Sequence, residues 1–385
     1  MPNLESTISS PTPVEPADSS ENQAAFTRTL LAWFYQSKRD LPWRRTHDPY
    51  AIWISETMLQ QTQVATVVPY WTRWLERFPT VRDLAEAPLD DVLKHWQGLG
   101  YYARARNLHR AAQQIMERHE GVFPARFEDI LALPGVGRYT AGAVGSIALG
   151  LPVPIVDANV IRVLCRAFGI EGDPKSTQAQ ERLWNLAEAL LPSGKSGAFN
   201  EAMMELGALI CHAKPRCGVC PVQSLCVAFQ TNRQDKLPEF APKGEFTRQT
   251  DVSAIVTHPT DANRFLLTQR PKDGLWGGLW EFPRATCAGD ETPENAAIRA
   301  VRETTGLRVC ATGTVLGSVR HGVTTRKITL LAHECGLSTD APLAPPTGWA
   351  ALWVARSDIE SYALPSPQAR LVEQLHAREL QPSLF

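Results

Sequence analysis

Four of the eight cysteines of the chain lie within sixteen residues, with the spacing C-x5-C-x2-C-x5-C. Four thiolates from one short loop suit a tetrahedral zinc ion or a [4Fe–4S] cluster, and the spacing alone does not choose between them. We therefore predict a metal-binding loop formed by Cys211, Cys217, Cys220 and Cys226. The other four cysteines are scattered along the chain and are expected to be small buried apolar residues.

A second candidate site is the two-glycine turn LPGVG, which is followed directly by Arg138. The apolar patterns on its two sides predict short helices over 127–132 and 139–149. Gly135 and Gly137 would expose backbone N–H groups at the start of the second helix, where the helix dipole favours a phosphate. Glycine turns between helices are common, so this turn is a weak indication when taken alone.

Two carboxylates also stand out by their positions. Asp157 precedes the apolar-periodic run NVIRVLCR, and Glu56 lies in ISETMLQQTQV, just before Gln60 and Gln61. Aspartate in front of such a run is a preferred helix N-cap, and a glutamate on a helix is normally solvated. The residues by themselves therefore favour structural roles for both carboxylates.

Helical periodicity extends over the region that contains all these residues. Apolar residues recur at intervals of three and four in the segments 24–36, 52–78, 89–96, 104–118 and 181–190. We predict an all-α domain over residues 23–230. Residues 1–22 have almost no large apolar side chains and are expected to form a disordered tail.

The chain after this domain has a different texture. Residues 231–249 are polar, aperiodic and proline-containing, which is typical of a linker. The short β-branched runs VSAIV, RFLLTQ and KITLLA predict strands. A helix is marked by Thr292 as N-cap, Pro293 in its first turn and Gly306 after its end, and another is expected over 368–379. We predict a smaller α+β domain over residues 250–385.

The composition excludes a membrane protein. Of the 385 residues 44% are hydrophobic, and no stretch approaches the roughly 18–20 consecutive apolar residues of a membrane span. The first residues lack the basic and apolar regions of a signal peptide, so a cytoplasmic location with reduced cysteines is expected. Residues 23–230 carry 22 basic and 19 acidic residues, a balance that is compatible with DNA binding.

Taken in order, LPGVGRYTAGA, VDANV and the four-cysteine loop resemble the helix-hairpin-helix DNA glycosylases with an iron–sulfur loop, the endonuclease III superfamily. The resemblance covers essentially all of 23–230. It implies a [4Fe–4S] cluster on the four cysteines and DNA contacts at Gly135, Gly137 and Arg138. The segment CHAKPRC has five residues between its cysteines, where the family usually has six.

Within this superfamily the hairpin also indicates the reaction. Members that cut the DNA strand carry a lysine there and attack the sugar through a Schiff base. Tyr139 stands at that position, and a phenol cannot form an imine. We therefore expect base removal by water, without strand cleavage.

The segments LPWR, ISETMLQQTQV and GLGYYARARNLH resemble the adenine DNA glycosylases of the MutY family. The resemblance implies that Glu56, a partly desolvated carboxylic acid, protonates the adenine, and that ionised Asp157 stabilises the oxocarbenium-like sugar. Tyr139 and Asn159 are implied to lie beside the sugar and these carboxylates. The expected partner is double-stranded DNA with adenine opposite 8-oxoguanine or guanine, and the expected molecule is a monomer.

Adenine must leave the base stack before it can react, and side chains must fill the gap. The resemblance makes Gln60 and Tyr101 the candidates for this wedge, with Gln61 as a further DNA contact. Three arginines follow at helical spacing and are candidate phosphate contacts: Arg104, Arg106 and Arg110.

The second domain is expected to read the base opposite the adenine. FLLTQRPKDGLWGGLWEFP resembles the start of a Nudix-like domain, and GDETPENAAIRAVRETTGL resembles a broken Nudix box. Aligned on Glu294 and Arg302-Glu303, it lacks the adjacent glutamates that hold Mg²⁺, which favours binding over hydrolysis. The lesion-reading strand of the family usually carries Phe-Ser-His, whereas this chain has Val323, Thr324 and Thr325, of which Thr324 could still donate a hydrogen bond.

Four other functions remain alternatives. A mismatch thymine glycosylase of the same superfamily would also accept the hairpin tyrosine, but Glu56 and the second domain argue against it. A bifunctional pyrimidine-lesion enzyme is disfavoured by Tyr139. A non-catalytic DNA-binding or redox-sensing protein would not need Glu56 and Asp157, and a Nudix hydrolase would need the missing carboxylates.

Overall fold

The computed structural model describes residues 20–241, 246–338 and 342–379. The predicted disordered tail lies outside these residues up to residue 19, whereas Ser20 already begins the first helix. Twelve helices precede the sheet in the described chain: α1 Ser20–Ser37, α2 Pro49–Leu59, α3 Val64–Arg77, α4 Val81–Glu86, α5 Leu89–Trp96, α6 Ala103–Arg118, α7 Phe127–Leu131, α8 Arg138–Leu149, α9 Ala158–Phe168, α10 Thr177–Ala189, α11 Ser196–Leu209 and α12 Val227–Gln230.

The helical periodicity over 52–78 belongs to two helices, because α2 ends at Leu59 and α3 begins at Val64. Arg104 explains the break. Its Nη1 lies within hydrogen-bonding distance of the carbonyl oxygens of Thr57, Met58 and Gln60, at 2.7, 3.0 and 2.7 Å. A continuing helix would need these carbonyls for its own N–H groups. The apolar pattern continues through the break and therefore did not reveal it.

The C-terminal part is a mixed sheet covered by a helix on each face. Its strand order is β3-β2-β1-β6-β5, with β4 on β1 and β7 on β2, and the β1–β6 pair is parallel while the others are antiparallel. The elements are β1 Thr247–His258, β2 Asp261–Gln269, β3 Trp280–Glu281, β4 Arg284–Thr286, α13 Pro293–Thr305, β5 Val309–Val323, β6 Arg326–Leu337, β7 Ala350–Ala355 and α14 Ser366–Glu379.

Two helices show why the sequence forms these elements where it does. In α13 the Thr292 hydroxyl accepts a hydrogen bond from the N–H of Asn295, and the helix ends at Gly306 with φ of 75°. Ala297 and Val301 of this helix pack into an apolar cluster with Val252 of β1, whereas α14 packs into the cluster on the other face. The predicted α+β domain and its first helix are confirmed.

The chain divides into two compact units that do not follow the predicted domain boundaries. The first runs to Glu56 and includes Ala125–Ala132 and Val136–Pro242, and the second comprises Thr57–Pro124, Leu133–Gly135 and the chain after Pro242. The domain boundaries drawn from the sequence therefore stay a prediction. Among the residues described here, no helix has the length and apolar character needed to cross a bilayer.

Candidate active site

Glu56 lies near the end of α2 and is almost completely buried, with 4% of its surface exposed. The Tyr139 hydroxyl, from the first turn of α8, donates a hydrogen bond of 2.6 Å to Glu56 Oε2. The same hydroxyl lies 3.2 Å from the sulfur of Met204. The catalytic acid and the hairpin tyrosine that the sequence proposed are therefore in direct contact.

Burial raises the pKa of Glu56 to about 7, because the charged form loses its hydration. The hydrogen bond from Tyr139 and the positive charge of Arg44 oppose this rise, whereas Asp157 and Glu201 add to it. Burial and the two nearby carboxylates also raise the pKa of Tyr139. With a pKa near the working pH, Glu56 is protonated in a large share of the molecules near neutral pH and lies beside a neutral phenol, which suits a general acid.

Asp157 has the capping role that its sequence position suggested, and its second carboxylate oxygen is bound by Asn159. As N-cap of α9 it accepts a hydrogen bond of 2.7 Å from the N–H of Val160 through Oδ1. Its other oxygen, Oδ2, accepts 2.9 Å from Asn159 Nδ2. Burial raises the pKa of Asp157, and these hydrogen bonds together with Arg162 oppose that rise by favouring the anion.

The backbone around Asn159 is fixed by α11 and by the cysteine segment. Arg162 donates to Asn159 Oδ1 at 2.8 Å, to the carbonyl of Cys211 at 2.6 Å and to that of Gly207 at 2.8 Å. A Cβ at Gly207 would lie 2.6 Å from the Asn159 Cβ and 3.1 Å from its Cα. The close approach of the two helices therefore requires glycine at position 207, and it sets the orientation of Asn159.

The sequence analysis missed Arg44 and Glu201, whose charges act on Glu56, and also their partners Arg39 and Glu205. Arg44, in a 3-10 turn over Pro42–Arg45, donates to Glu201 at 2.8 Å and to Glu205 at 2.9 Å. Arg39 binds Glu205 through two guanidinium nitrogens, at 2.9 and 2.7 Å. The available signal was a pair of glutamates one helical turn apart in the otherwise apolar segment FNEAMMELGAL, because buried charges need partners.

The four clustered cysteines line one cavity together with Arg166. Arg166 Nη1 lies 3.5 Å from Cys211 Sγ, and the Cys226 thiol donates to the Arg166 carbonyl at 3.4 Å. Within the described ranges no three potential ligands converge closely enough to hold a single ion. Four thiols that line one cavity are a donor set that fits a [4Fe–4S] cluster and also a zinc ion.

The two-glycine turn has the geometry of an anion site. Gly135 adopts φ of 76°, and Gly137 is the N-cap of α8. A side chain at position 135 would collide with Asn107, since a Cβ there would lie 2.5 Å from that residue. The guanidinium of Arg138 lies 3.9 Å from the ring centroid of Trp184, and both glycines are exposed. The free N–H groups at the start of α8 therefore face solvent.

The proposed wedge residues lie on loops rather than on helices. Gln60 and Gln61 form the turn after α2, and Tyr101 precedes α6 with 54% of its surface exposed. Gln61 and Tyr101 have positive φ values of 58° and 47°, which are strained for residues other than glycine. Arg104 also donates to the Gly100 carbonyl at 3.2 Å, so it joins the two loops instead of facing a phosphate.

The sequence placed Thr324 and Thr325 on a strand, and this placement is wrong. Both lie in the hairpin turn between β5 and β6, where Thr324 has φ of 50°. The Thr324 hydroxyl donates to the Val323 carbonyl at 2.7 Å. Val323 lines a cavity of about 260 Å³ whose wall also includes Tyr101, Trp276, His321 and Arg370.

The remnant of the Nudix box is held by an arginine. Arg299 donates to both oxygens of Glu291, at 2.8 and 2.7 Å, and lies 3.3 Å from Glu303. Arg299 lies one helical turn before Arg302, so its pairing with Glu291 does not test the alignment on Glu294 and Arg302-Glu303, which stays a prediction. No group of carboxylates suited to Mg²⁺ occurs among the described residues of this domain.

Comparisons with known proteins agree with this fold. A model described as "HhH-GPD superfamily base excision DNA repair protein" matches residues 54–189, and a NUDIX domain model matches residues 254–374. The helical part is thus that of a base excision repair glycosylase. The curated adenine DNA glycosylase of Rattus norvegicus is 38% identical over 397 residues, covering 88% of this chain and 76% of that protein. The chain belongs to the adenine DNA glycosylase family, and it is an enzyme that acts on DNA.

Two further relatives define the extent of the likeness. The adenine DNA glycosylase of Homo sapiens is 37% identical, covering 88% of this chain and 72% of its own length. The solved structure of a thermostable thymine-DNA glycosylase has a TM-score of 0.51 and 34% identity, and covers 55% of this chain and 98% of that one. The thymine enzyme thus matches little more than half of this chain, whereas the adenine enzymes match most of it.

Proposed function

We propose that this enzyme hydrolyses the N-glycosidic bond of adenine opposite 8-oxoguanine or guanine, with Glu56 as the general acid. The observation that carries the proposal is that Glu56 is buried and accepts a hydrogen bond of 2.6 Å from the neutral phenol of Tyr139. Such an acid keeps its proton near neutral pH and can give it to a base.

The adenine must become a better leaving group before the bond breaks. Glu56 donates its proton to a ring nitrogen of adenine, so that the electron pair of the breaking N-glycosidic bond is accepted by a protonated base. Tyr139 stabilises the carboxylate that Glu56 then becomes, because its hydroxyl already donates to Oε2. Transfer of this kind typically contributes about 10²–10⁴-fold to a rate.

The sugar that remains carries positive charge at its anomeric carbon. Asp157 stabilises this charge as an anion, oriented by the Asn159 amide and by the N–H of Val160. Water adds to the anomeric carbon and loses a proton, which leaves an intact strand with an abasic site. Tyr139 has no amine for a Schiff base, so the strand is not cleaved.

The cysteine cavity supports the proposal of a [4Fe–4S] cluster on Cys211, Cys217, Cys220 and Cys226. When bound, the cluster would cross-link four points of one loop through thiolate bonds. The carbonyl of Cys211 also accepts a hydrogen bond from Arg162, which in turn holds Asn159. The cysteine loop is thus connected through Arg162 to Asn159 at the start of α9.

The remaining roles concern DNA. The exposed N–H groups at Gly135 and Gly137 would bind a phosphate, and Tyr101 and Gln60 would enter the base stack. The cavity beside Val323 is the candidate for reading the opposite base, with aromatic and cationic residues in its wall. We further propose that the protein acts as a monomer where the chromosomal DNA lies.

A single-turnover assay tests the function. Duplexes with adenine opposite 8-oxoguanine, guanine or thymine, and one with thymine opposite guanine, would be treated with the full chain. Strand breaks are then measured with and without alkali. We expect alkali-dependent breaks at adenine in the first two duplexes only. Breaks at thymine, or a covalent adduct trapped by borohydride, would overturn the proposal.

A further inference from the structure

The acid of this site is within the electrostatic influence of a buried cation, Arg44, which is an unusual surrounding for a group that must hold a proton. Four charged or acidic groups from four different elements act on Glu56: Tyr139 of α8, Asp157 at the start of α9, Glu201 of α11 and Arg44 of the 3-10 turn. Arg44 is the one cation among these named groups. An uncompensated guanidinium at this position would draw the proton from Glu56, because a nearby positive charge favours the carboxylate.

The structure shows how this guanidinium is occupied. Arg44 is 10% exposed and uses all three of its nitrogens: Nε donates to Glu201, Nη2 to Glu205 and Nη1 to the Arg39 carbonyl at 3.1 Å. Glu201 and Glu205 lie one turn apart on α11, so the planar guanidinium spans both carboxylates. Its orientation is therefore fixed from three sides.

The two glutamates are not equivalent partners. Glu205 is fully buried, and besides Arg44 it accepts from the Arg39 backbone N–H and from two Arg39 guanidinium nitrogens. Although burial opposes it, these hydrogen bonds lower the pKa of Glu205 to about 2. For Glu201, in contrast, burial raises the pKa, and the positive charges of Arg44 and Lys38 oppose this rise. Glu205 is thus the permanently charged counter-ion of the pair.

We propose that Glu205 is a positioning residue for the acid: it holds Arg44 in place and compensates its charge, so that Glu56 can stay protonated next to a buried guanidinium. The inference rests on the proposed role of Glu56. It assigns to Glu205, which touches no substrate in this scheme, control over the pH range in which the enzyme removes adenine. Arg39 offsets part of the negative charge of the two glutamates, so its effect on the pH range is opposite to that of Glu205.

The test measures single-turnover adenine removal by the full chain between about pH 5.5 and about pH 9. This range brackets the pKa of a carboxylic acid whose pKa is raised by burial. Glu205→Gln removes a negative charge and should move the alkaline midpoint down by about one pH unit. Arg39→Gln removes a positive charge and should move the same midpoint up, by less, because Arg39 is 33% exposed. A purely structural role predicts a lower rate without these opposite shifts.

Two matched variants complete the experiment. Glu205→Asp keeps the charge and should restore the wild-type midpoint, even at a reduced rate. Asp40→Asn removes a carboxylate of the same segment. The Asp40 side chain is 71% exposed and paired with Arg45, so solvent screens its charge and the midpoint should stay unchanged. An unchanged midpoint in both Glu205→Gln and Arg39→Gln overturns the inference.

If Glu205→Gln does not fold, Arg39→Gln decides the question alone, since a raised midpoint supports the inference and an unchanged one overturns it. The role of Glu56 is checked separately. Full activity of Glu56→Gln would overturn the proposed function, and this inference with it. An inactive Glu56→Gln with unmoved midpoints in the other variants overturns only the role of Glu205.

Discussion

Glu56 in the helical part and Glu291 in the sheet part are two glutamates with opposite affinities for a proton. Glu56 is buried and receives its hydrogen bond from a neutral phenol, and its pKa rises to about 7. Glu291 receives two hydrogen bonds from Arg299 and one from the Ala288 N–H at 3.1 Å, and its pKa falls to about 2. The first is suited to chemistry and the second to holding a helix.

The difference shows what converts a carboxylate into an acid. Glu56 is the one acid of the mostly apolar segment PYAIWISETML, whereas Glu291 lies among other acids in GDETPEN, but neither segment reveals which group the carboxylate contacts. Hydrogen bonds from two guanidinium groups, those of Arg39 and Arg44, lower the pKa of Glu205, whereas burial still raises the pKa of Glu201, which is bound by only one of them, Arg44. Glu56 is buried and has a phenol rather than a guanidinium as its hydrogen-bond partner, so burial determines the direction of its pKa shift.

The largest effect is expected from Glu56→Gln. Glutamine keeps the size and can still accept the hydrogen bond from Tyr139, but it has no proton to give. Single-turnover adenine removal should fall by about 10³-fold while DNA affinity is retained. The matched control is Glu86→Gln, because Glu86 is exposed and pairs with Arg82 on α4. A rate within a few-fold of wild type would remove Glu56 from the mechanism.

A smaller loss, of about 10²–10³-fold, is expected from Asp157→Asn, which removes the anion that faces the sugar. Asparagine still caps α9, so the free energy of unfolding should change little. Asp157→Ala should lose about 1 kcal/mol more stability than Asp157→Asn, because the bond to the Val160 N–H is lost. If both variants lose activity only in proportion to stability, capping is the whole role of Asp157.

The pH dependence gives the next effect. Above pH of about 7 the rate should fall tenfold per pH unit, since only protonated Glu56 is active. The pKa of Glu56 is higher in the folded than in the unfolded protein, so the folded protein binds the proton more tightly. The free energy of unfolding that this proton contributes is fully present below pH of about 4.5, and it is lost as the pH rises through about 7. At pH 8 Glu56→Gln should therefore be more stable than wild type by about 2–3 kcal/mol in urea unfolding, and the two should nearly coincide at pH 5. If wild type and Glu56→Gln were equally stable at pH 8, ionised Glu56 would not be a buried charge.

The smallest effect is expected on the other side of the comparison. Glu291→Gln removes the partner of Arg299 and should lower the melting temperature of the protein by a few degrees at most, with adenine removal opposite guanine unchanged. With Mg²⁺ present, neither wild type nor this variant should release phosphate from nucleoside triphosphates. Release by the wild type would show that the carboxylates of this domain hold a metal after all.

Much of the fold could be predicted because local signals agreed with it. The cap at Thr292, the proline after it and Gly306 gave α13 correctly, and the apolar runs gave β1, β2 and β6. The break after α2 could not be predicted, because its cause is a side chain 44–47 positions further along the chain. The hairpin at Thr324 was missed for a related reason, since a two-residue turn without glycine carries little signal of its own.

The site was predicted only as far as familiar motifs extend. Glu56, Tyr139, Asp157 and Asn159 were named from the resemblance, and the structure brings these four residues of the helical part together. The residues around Arg44 were not named, because ion pairs that span about 160 positions leave no periodic pattern. Shape and charge around a reactive group depend on such distant contacts, whereas the reactive group itself can be read from a short motif.

The glycine at position 207 has a consequence for how this gene would tolerate change. Its missing side chain leaves the space into which Asn159 fits, and an added methyl group would lie 2.6 Å from that residue. In a saturation screen this position should therefore appear as intolerant as those of the reacting side chains, although it carries no functional group. Inherited or laboratory variants there would be easy to dismiss as conservative, and they would still inactivate the enzyme by displacing atoms that remain chemically intact.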